Sequence, residues 1–410
     1  MHNQLIKILS SFETPRDVCE LGNVAVARGA IEAGVRGVFA YPGNPSTEIS
    51  EVFNHTARFQ NDPALQKKYP ELTADPLYFE YSVNEKIALE KAISFSIGNR
   101  SALCCMKSVG MNVASDALMT ITYQTIGAAL VIVVCDDPGC YSSSNEQDSR
   151  HWGKMASVPV FNPATPEDAH TMVKDAFALS QQLKLPVILR MTTRVGHTRG
   201  MMQYREISRT GQPPRFERLG EHINVPAGTS EAHAHLLRKL AGAPVDSFQK
   251  KHCTIRLPED RAPISLRFSG IIAGGIAAVY ASEILSRDEL KGAVGFLSPG
   301  LVHPFPTQET LDFLRKGFRK ILILEELDPT IENEVRILAQ KHRLDIEIHG
   351  KDYAGLTASG EYDLDMVAGA ISSFAGLPST ENDGAALTGM EPFLADLPSR
   401  SPALCSGCPH

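Results

Sequence analysis

The chain has 410 residues, 43% of them hydrophobic and 21% charged, which suits two or three globular domains and excludes a small binding module or a disordered segment. Forty Lys and Arg against 47 Asp and Glu give a net charge of −7 with no basic run, which argues against nucleic acid as a partner. No stretch reaches about 18 uninterrupted apolar residues, the start lacks a signal-peptide pattern, and the eight cysteines are scattered through mostly apolar runs, so a cytoplasmic chain with no membrane segment is expected.

From residue 21 to about 200, helix-period segments alternate with short Val- and Ile-rich runs, the pattern of a parallel sheet covered by helices. Val24 to Glu32 reads as a helix stopped by Gly34, and Gly37 to Tyr41 as a strand. Leu77 to Tyr81 is a second strand, Asn84 to Ile97 a helix, Ala102 to Met106 a third strand, and Asp116 to Thr125 falls in another helix. Ala129 to Cys135 is a continuous apolar run of buried-strand length, and helix 166 to 183 with strand Val187 to Met191 completes the unit. Residues 201 to 262 carry Pro213, Pro214, Pro226 and Pro244 with one helix near Ser230 to Leu240, and read as a surface connector.

Alternation resumes with strand Ser265 to Phe268, helix Ile276 to Leu285, strand Gly292 to Leu297 and helix Thr307 to Leu314. Strand Lys320 to Leu324, helix Ile331 to His342 and strand Leu344 to Ile348 follow, making a second, smaller α/β domain. From about residue 378 the chain turns polar and ends in Cys405-Ser-Gly-Cys-Pro-His410.

Ligands of open parallel sheets bind where loops leave the carboxyl ends of the strands. Four such places stand out: Pro42 to Ser46, Lys107 to Asn112, Asp136 to Gly139 running on into Ser142 to Asp148, and the step from Tyr81 into Asn84 and Glu85. Glu85 is the sharpest single residue. Steps of three and four from it reach Ala88, Leu89, Ala92 and Ser96, so its carboxylate lies on the apolar stripe, while Lys86 and Glu90 make the solvent-side pair. A carboxylate on an apolar face is biased toward its protonated form, which suits an acid that donates or shares a proton. The competing reading is an acid that interacts only with the start of its own helix. Cys405 and Cys408 supply two ligands where a closed tetrahedral site needs four, Cys104 and Cys105 read as core residues, and Gly270, Gly274 and Gly275 do not spell a dinucleotide fingerprint. No metal ligand is assigned.

Tyr41-Pro-Gly-Asn-Pro-Ser-Thr-Glu48, Tyr81-Ser-Val-Asn-Glu-Lys86, Met106-Lys-Ser-Val-Gly-Met-Asn112, Asp136-Asp-Pro-Gly139, Asn145-Glu-Gln-Asp-Ser-Arg150 and Leu189-Arg-Met-Thr-Thr-Arg194 occur in family order. With them the chain resembles the alpha subunits of indolepyruvate-type enzymes among the thiamine diphosphate-dependent 2-oxoacid:ferredoxin oxidoreductases. Glu325-Glu-Leu-Asp-Pro329 and His349-Gly-Lys351 extend the resemblance into the second domain. It implies a pyrimidine-binding domain over 1–200, a connector over 201–262, a transketolase C-terminal-like domain over 263–377, and a tail over 378–410 leading into an absent diphosphate-binding domain.

The implied activity is oxidative decarboxylation of an arylpyruvate to an acyl-CoA with electrons passed to ferredoxin. Glu85 then matches the glutamate that hydrogen-bonds the cofactor's pyrimidine ring, with Pro42, Gly43 and Asn112 beside the cofactor, and Asn44 and Asn145 beside the substrate. Asn44 stands where family members commonly have threonine. The chain has no Gly-Asp dipeptide for the magnesium and diphosphate and no closely spaced cysteine runs for iron-sulfur clusters, so both are expected in a missing part or a partner. The implied partners are a diphosphate-binding domain or subunit, a beta subunit, ferredoxin and coenzyme A, in a homodimer or hetero-oligomer. Another 2-oxoacid substrate, or a non-catalytic protein-binding role, remains open at this stage.

Overall fold

The computed structural model describes residues 2–208 and 213–378, so the stretch with Cys405 and Cys408 lies outside the described residues. The first half contributes strands β1 (Arg16–Leu21), β2 (Gly37–Ala40), β3 (Tyr78–Tyr81), β4 (Ala102–Lys107), β5 (Leu130–Asp136), β6 (Val160–Phe161), β7 (Val187–Thr192) and β8 (Arg199–Tyr204). The second contributes β9 (Cys253–Arg256), β10 (Ser269–Ala273), β11 (Gly295–Pro299), β12 (Leu301–His303), β13 (Lys320–Leu324) and β14 (Glu347–His349).

The larger sheet has seven strands in the order β12-β6-β7-β5-β4-β2-β3, parallel throughout except for the antiparallel edge pair of β12 with β6. Its central strands are buried on both faces, which is why they read as unbroken apolar runs. The helix Gly22–Glu32 is buried over its whole length and packs against helix Pro166–Leu183. Inside that contact Arg28 is fully buried, paired with Glu32 at 2.9 Å and donating to the carbonyls of Ser10 and Arg205.

The smaller sheet runs β14-β13-β10-β11-β9, parallel apart from the edge strand β9. The two sheets share a winding pattern. In each, the chain steps outward to one side (β2 to β3, β10 to β11) and returns on the other (β4, β13), which leaves a crevice at the carboxyl ends where the order reverses.

Three expectations shift against the structure. Ile264–Arg267 is a helical turn, and the strand expected over Ser265 to Phe268 begins at Ser269 instead. Gly270 lies inside that strand, at a position where a Cβ would come within 2.6 Å of Ile321. Residues at both ends of the presumed connector are strand: β8 pairs with β1, and β9 closes the smaller sheet. The stretch Lys107 to Asn112 is not a loop, because helix Ser108–Ile121 starts directly after β4.

Candidate functional site

The crevice of the larger sheet lies at the ends of β2 and β4, flanked by the end of β3. There Asn84 caps the helix Glu85–Ile97, its side-chain oxygen accepting from the Ile87 amide at 2.9 Å. Capping fixes the helix start, and the helix buries the stripe Glu85, Ala88, Leu89, Ala92 and Ser96. Lys86 faces outward as expected, although Asp116 at 2.7 Å is a nearer partner than Glu90 at 3.9 Å.

Glu85 is 8% exposed, and among the described residues no other side chain hydrogen-bonds its carboxylate. Burial pushes its pKa above the usual carboxylate range, partly offset by its own backbone amide and by the Lys107 ammonium. The neighbouring helix makes room for it with a glycine: a Cβ at Gly110 would stand 2.5 Å from Glu85 Oε1. This is a carboxyl group biased toward its neutral form and free to meet a ligand. It fits the ring nitrogen of an aminopyrimidine, to which a carboxylic acid can donate a hydrogen bond.

Lys107 ends β4 beside this group. Its methylenes lie against Gly43, where a Cβ would come within 2.8 Å of Lys107 Cδ, and its ammonium donates to the Ser142 carbonyl at 2.9 Å. Asp137 organises the Ser142 loop, with Oδ2 accepting from the Ser142 amide at 2.9 Å and the Ser143 hydroxyl at 2.7 Å. Its other oxygen accepts from the Thr193 hydroxyl at 2.9 Å. Behind the Pro42 to Ser46 turn, Asn23 donates to the Pro45 carbonyl and to Glu48, each at 2.8 Å. Glu85, Gly43, Asn44 and the Ser142 loop are therefore linked, with Lys107 at the centre.

Two sequence candidates fall outside that cluster. Asn112 sits in the second turn of helix Ser108–Ile121 with an exposed side chain. Asn145 is exposed as well, its amide oxygen accepting from Gln147 at 2.9 Å. Pro42 and Asn44 are half-buried at the turn, and the Asn44 carbonyl faces the Ser142 hydroxyl at 3.5 Å. Sequence reasoning did not single out Lys107, Gly110 or Asp137. The signal for Lys107 was a cation ending an apolar strand.

The remaining motifs meet one another. Arg150 pairs with Asp148 at 2.6 Å and Glu325 at 2.5 Å, and donates to the carbonyls of Glu326 and Asp328. Glu325 also accepts from the amides of Ile331 and Glu332, capping helix Thr330–Lys341. Lys351 donates to the Glu325 carbonyl and to Tyr362 Oη, and burial brings its ammonium down to about 8 despite the nearby Glu325. Burial opposes ionisation of Asp148, yet the Arg150 guanidinium holds that carboxyl well below the usual range. Asp148, His151 and Asp328 could geometrically share a cation, but both Asp148 oxygens are already engaged by Arg150. No membrane-length apolar helix occurs among the described residues.

The chain matches no protein-family model. It is 35% identical over 398 residues to the indolepyruvate oxidoreductase subunit IorA of Methanothermobacter thermautotrophicus, covering 95% of this chain and 58% of the relative. Against the corresponding subunit of Pyrococcus horikoshii it is 34% identical over 401 residues, covering 95% and 57%. The chain thus spans little more than half the length of these relatives. Among solved structures it resembles a 2-oxoglutarate:ferredoxin oxidoreductase from Magnetococcus marinus, with a TM-score of 0.63 and 14% identity over 88% of this chain and 65% of the other. A split-gene transketolase aligns with a TM-score of 0.50 and 14% identity, over 87% and 96%. Both structural likenesses, at 14% identity, concern the fold alone, two α/β units each built on a mostly parallel sheet.

Proposed function

Because the chain belongs to the family of the indolepyruvate oxidoreductase IorA subunits, we propose that it supplies the pyrimidine-binding side of a thiamine diphosphate-dependent, ferredoxin-linked oxidoreductase acting on arylpyruvates. The observation that carries this is Glu85: a nearly buried carboxyl group with a raised pKa and no competing side chain, at the crevice of the larger sheet. When bound, the cofactor supplies the electron sink for decarboxylation.

The chain's own residues bind, orient and move a proton. Glu85, protonated, would donate to the pyrimidine ring nitrogen, and passing its proton there would favour the imino form of the ring, whose exocyclic nitrogen can accept a proton. Pro42 and Gly43 line the ring's approach, and Asn44 offers a neutral amide donor to the substrate. Asn112 and Asn145, both exposed, belong to the face that a diphosphate-binding partner covers, together with the exposed Tyr81, Val83 and Val113. That partner, with the metal, diphosphate and iron-sulfur chemistry, a beta subunit, ferredoxin and coenzyme A complete the proposal. Residues 1–200 then form the pyrimidine-binding domain and 263–377 the smaller domain.

The test is Glu85→Gln in the intact complex from the native source. Gln keeps the volume and removes the proton donor, so arylpyruvate turnover should fall by at least about 10²-fold while assembly is kept. A fully active variant would sink the mechanism, and normal assembly without any turnover of the unaltered complex would leave a protein-binding role.

A further inference from the structure

We propose that Lys107 is the cation that receives the carboxylate of the 2-oxoacid, an assignment that rests on the function proposed above. A 2-oxoacid is an anion, and in a half-buried crevice its carboxylate requires a compensating positive charge.

The other cations at the carboxyl edge of the larger sheet are already committed. Arg190 pairs with Asp136 at 2.7 Å, Arg150 with Asp148, Arg194 with Glu361 at 2.6 Å, and His197 with Glu48 at 3.3 Å. Lys107 differs: among the described ion pairs it has no carboxylate within 4.0 Å, although it is half-buried. Its near neighbour Glu85 is biased toward the neutral form by burial and offers no fixed counter-charge.

The ammonium is also held in place. Its stem lies against the bare backbone of Gly43, and one of its three N–H bonds is used on the Ser142 carbonyl at 2.9 Å, which leaves two for a ligand. The carbonyl that holds it belongs to the Ser142 loop, whose nearest carboxylate, Asp137, is itself engaged by the Ser142 amide, the Ser143 hydroxyl and the Thr193 hydroxyl. An incoming carboxylate would meet the Lys107 charge between the Gly43–Asn44 turn and the Ser142 loop, with Glu85 on the side toward the pyrimidine. The substrate's two ends are thereby distinguished, charge at Lys107 and reacting carbonyl toward Glu85.

The experiment uses the intact complex carrying Glu85→Gln to block turnover, and measures equilibrium binding of phenylpyruvate and of its methyl ester by calorimetry. With Lys107 present the acid should bind at least 10-fold more tightly than the ester. Lys107→Met should abolish that preference, and Lys107→Arg, which keeps the charge, should retain most of it. In the otherwise unaltered enzyme, Lys107→Met should raise KM for the arylpyruvate more than it lowers kcat. A thermal midpoint within a few degrees of the parent shows that the variants fold. If the acid-over-ester preference survives Lys107→Met while the parent turns over arylpyruvate, the Lys107 assignment is overturned and the proposed function stands. If the parent binds neither acid nor ester, both fall together.

Discussion

The two sheets wind alike and carry a crevice at the same topological position, yet the crevices have opposite fates. In the smaller sheet the loops after β10 and β13 are filled from within the protein. Arg150 of the larger unit enters beside Glu325, and Asn162 packs on Gly275, where a Cβ would lie 3.3 Å from its amide nitrogen. Glu326 accepts from the Tyr362 amide at 3.0 Å, and Lys351 uses its N–H bonds on the carbonyls of Glu325 and Thr357 and on Tyr362 Oη. In the larger sheet the turn after β2 and the helix start after β4 flank a carboxyl group and an ammonium that have no ion-pair partner among the described residues, and exposed Tyr81 and Val83 stand at the edge. A crevice whose polar groups are satisfied internally holds the molecule together, whereas one with groups left over is built to meet something else.

That contrast can be broken most severely at Arg150. Arg150→Met would leave Asp148 and Glu325 buried without their shared cation, so stability should fall by about 3–5 kcal/mol, read by denaturant titration. A loss under about 1 kcal/mol would mean the clamp is not what joins the units.

The open crevice should respond the other way. Gly110→Ala places a methyl group against the Glu85 carboxylate, the movable end of a side chain, while gaining up to about 1 kcal/mol of helix propensity. Turnover of the intact complex should drop about 10-fold or more with little change in melting temperature. A variant that melted early but worked normally would show that Gly110 serves packing rather than the position of Glu85.

The smallest effect concerns pH. Because the folded-state pKa of Glu85 is raised, the folded protein binds its proton more readily than the unfolded chain does. This contribution is fully present below the ordinary glutamate pKa and is lost as pH rises through the raised folded value. Glu85→Gln should therefore be more stable than the parent near neutral pH, with the difference fading toward acid pH. Parallel stability profiles for the two proteins would contradict the raised pKa.

Much of this was legible in the chain. The helical stripe from Glu85 to Ser96 is an arithmetic consequence of helix periodicity, and the buried strand Leu130–Asp136 shows as an unbroken apolar run. Side-chain roles were less legible. Asn145-Glu-Gln-Asp-Ser-Arg150 and Glu325-Glu-Leu-Asp-Pro329 are separated by some 175 positions, and nothing local says that one supplies the counter-ion of the other. From the sequence, Lys107 to Asn112 reads as a loop after the strand ending at Met106. The helix starts there anyway, since the position needs a small residue beside Glu85 more than it needs propensity.

The short strand β12 gives the architecture a further property. It follows β11 almost directly in the chain but closes the open edge of β6, with Leu301 opposite Phe161 and His303 opposite Val160. The smaller unit thus lends a finger to its neighbour's sheet. Residues 1–200 produced by themselves would keep their crevice but bare a hydrogen-bonding edge that invites sticking to other chains. A gene divided within the intervening segment would encode two pieces that need each other to stay dissolved, so the natural seam of this molecule does not coincide with the gap between its two sheets.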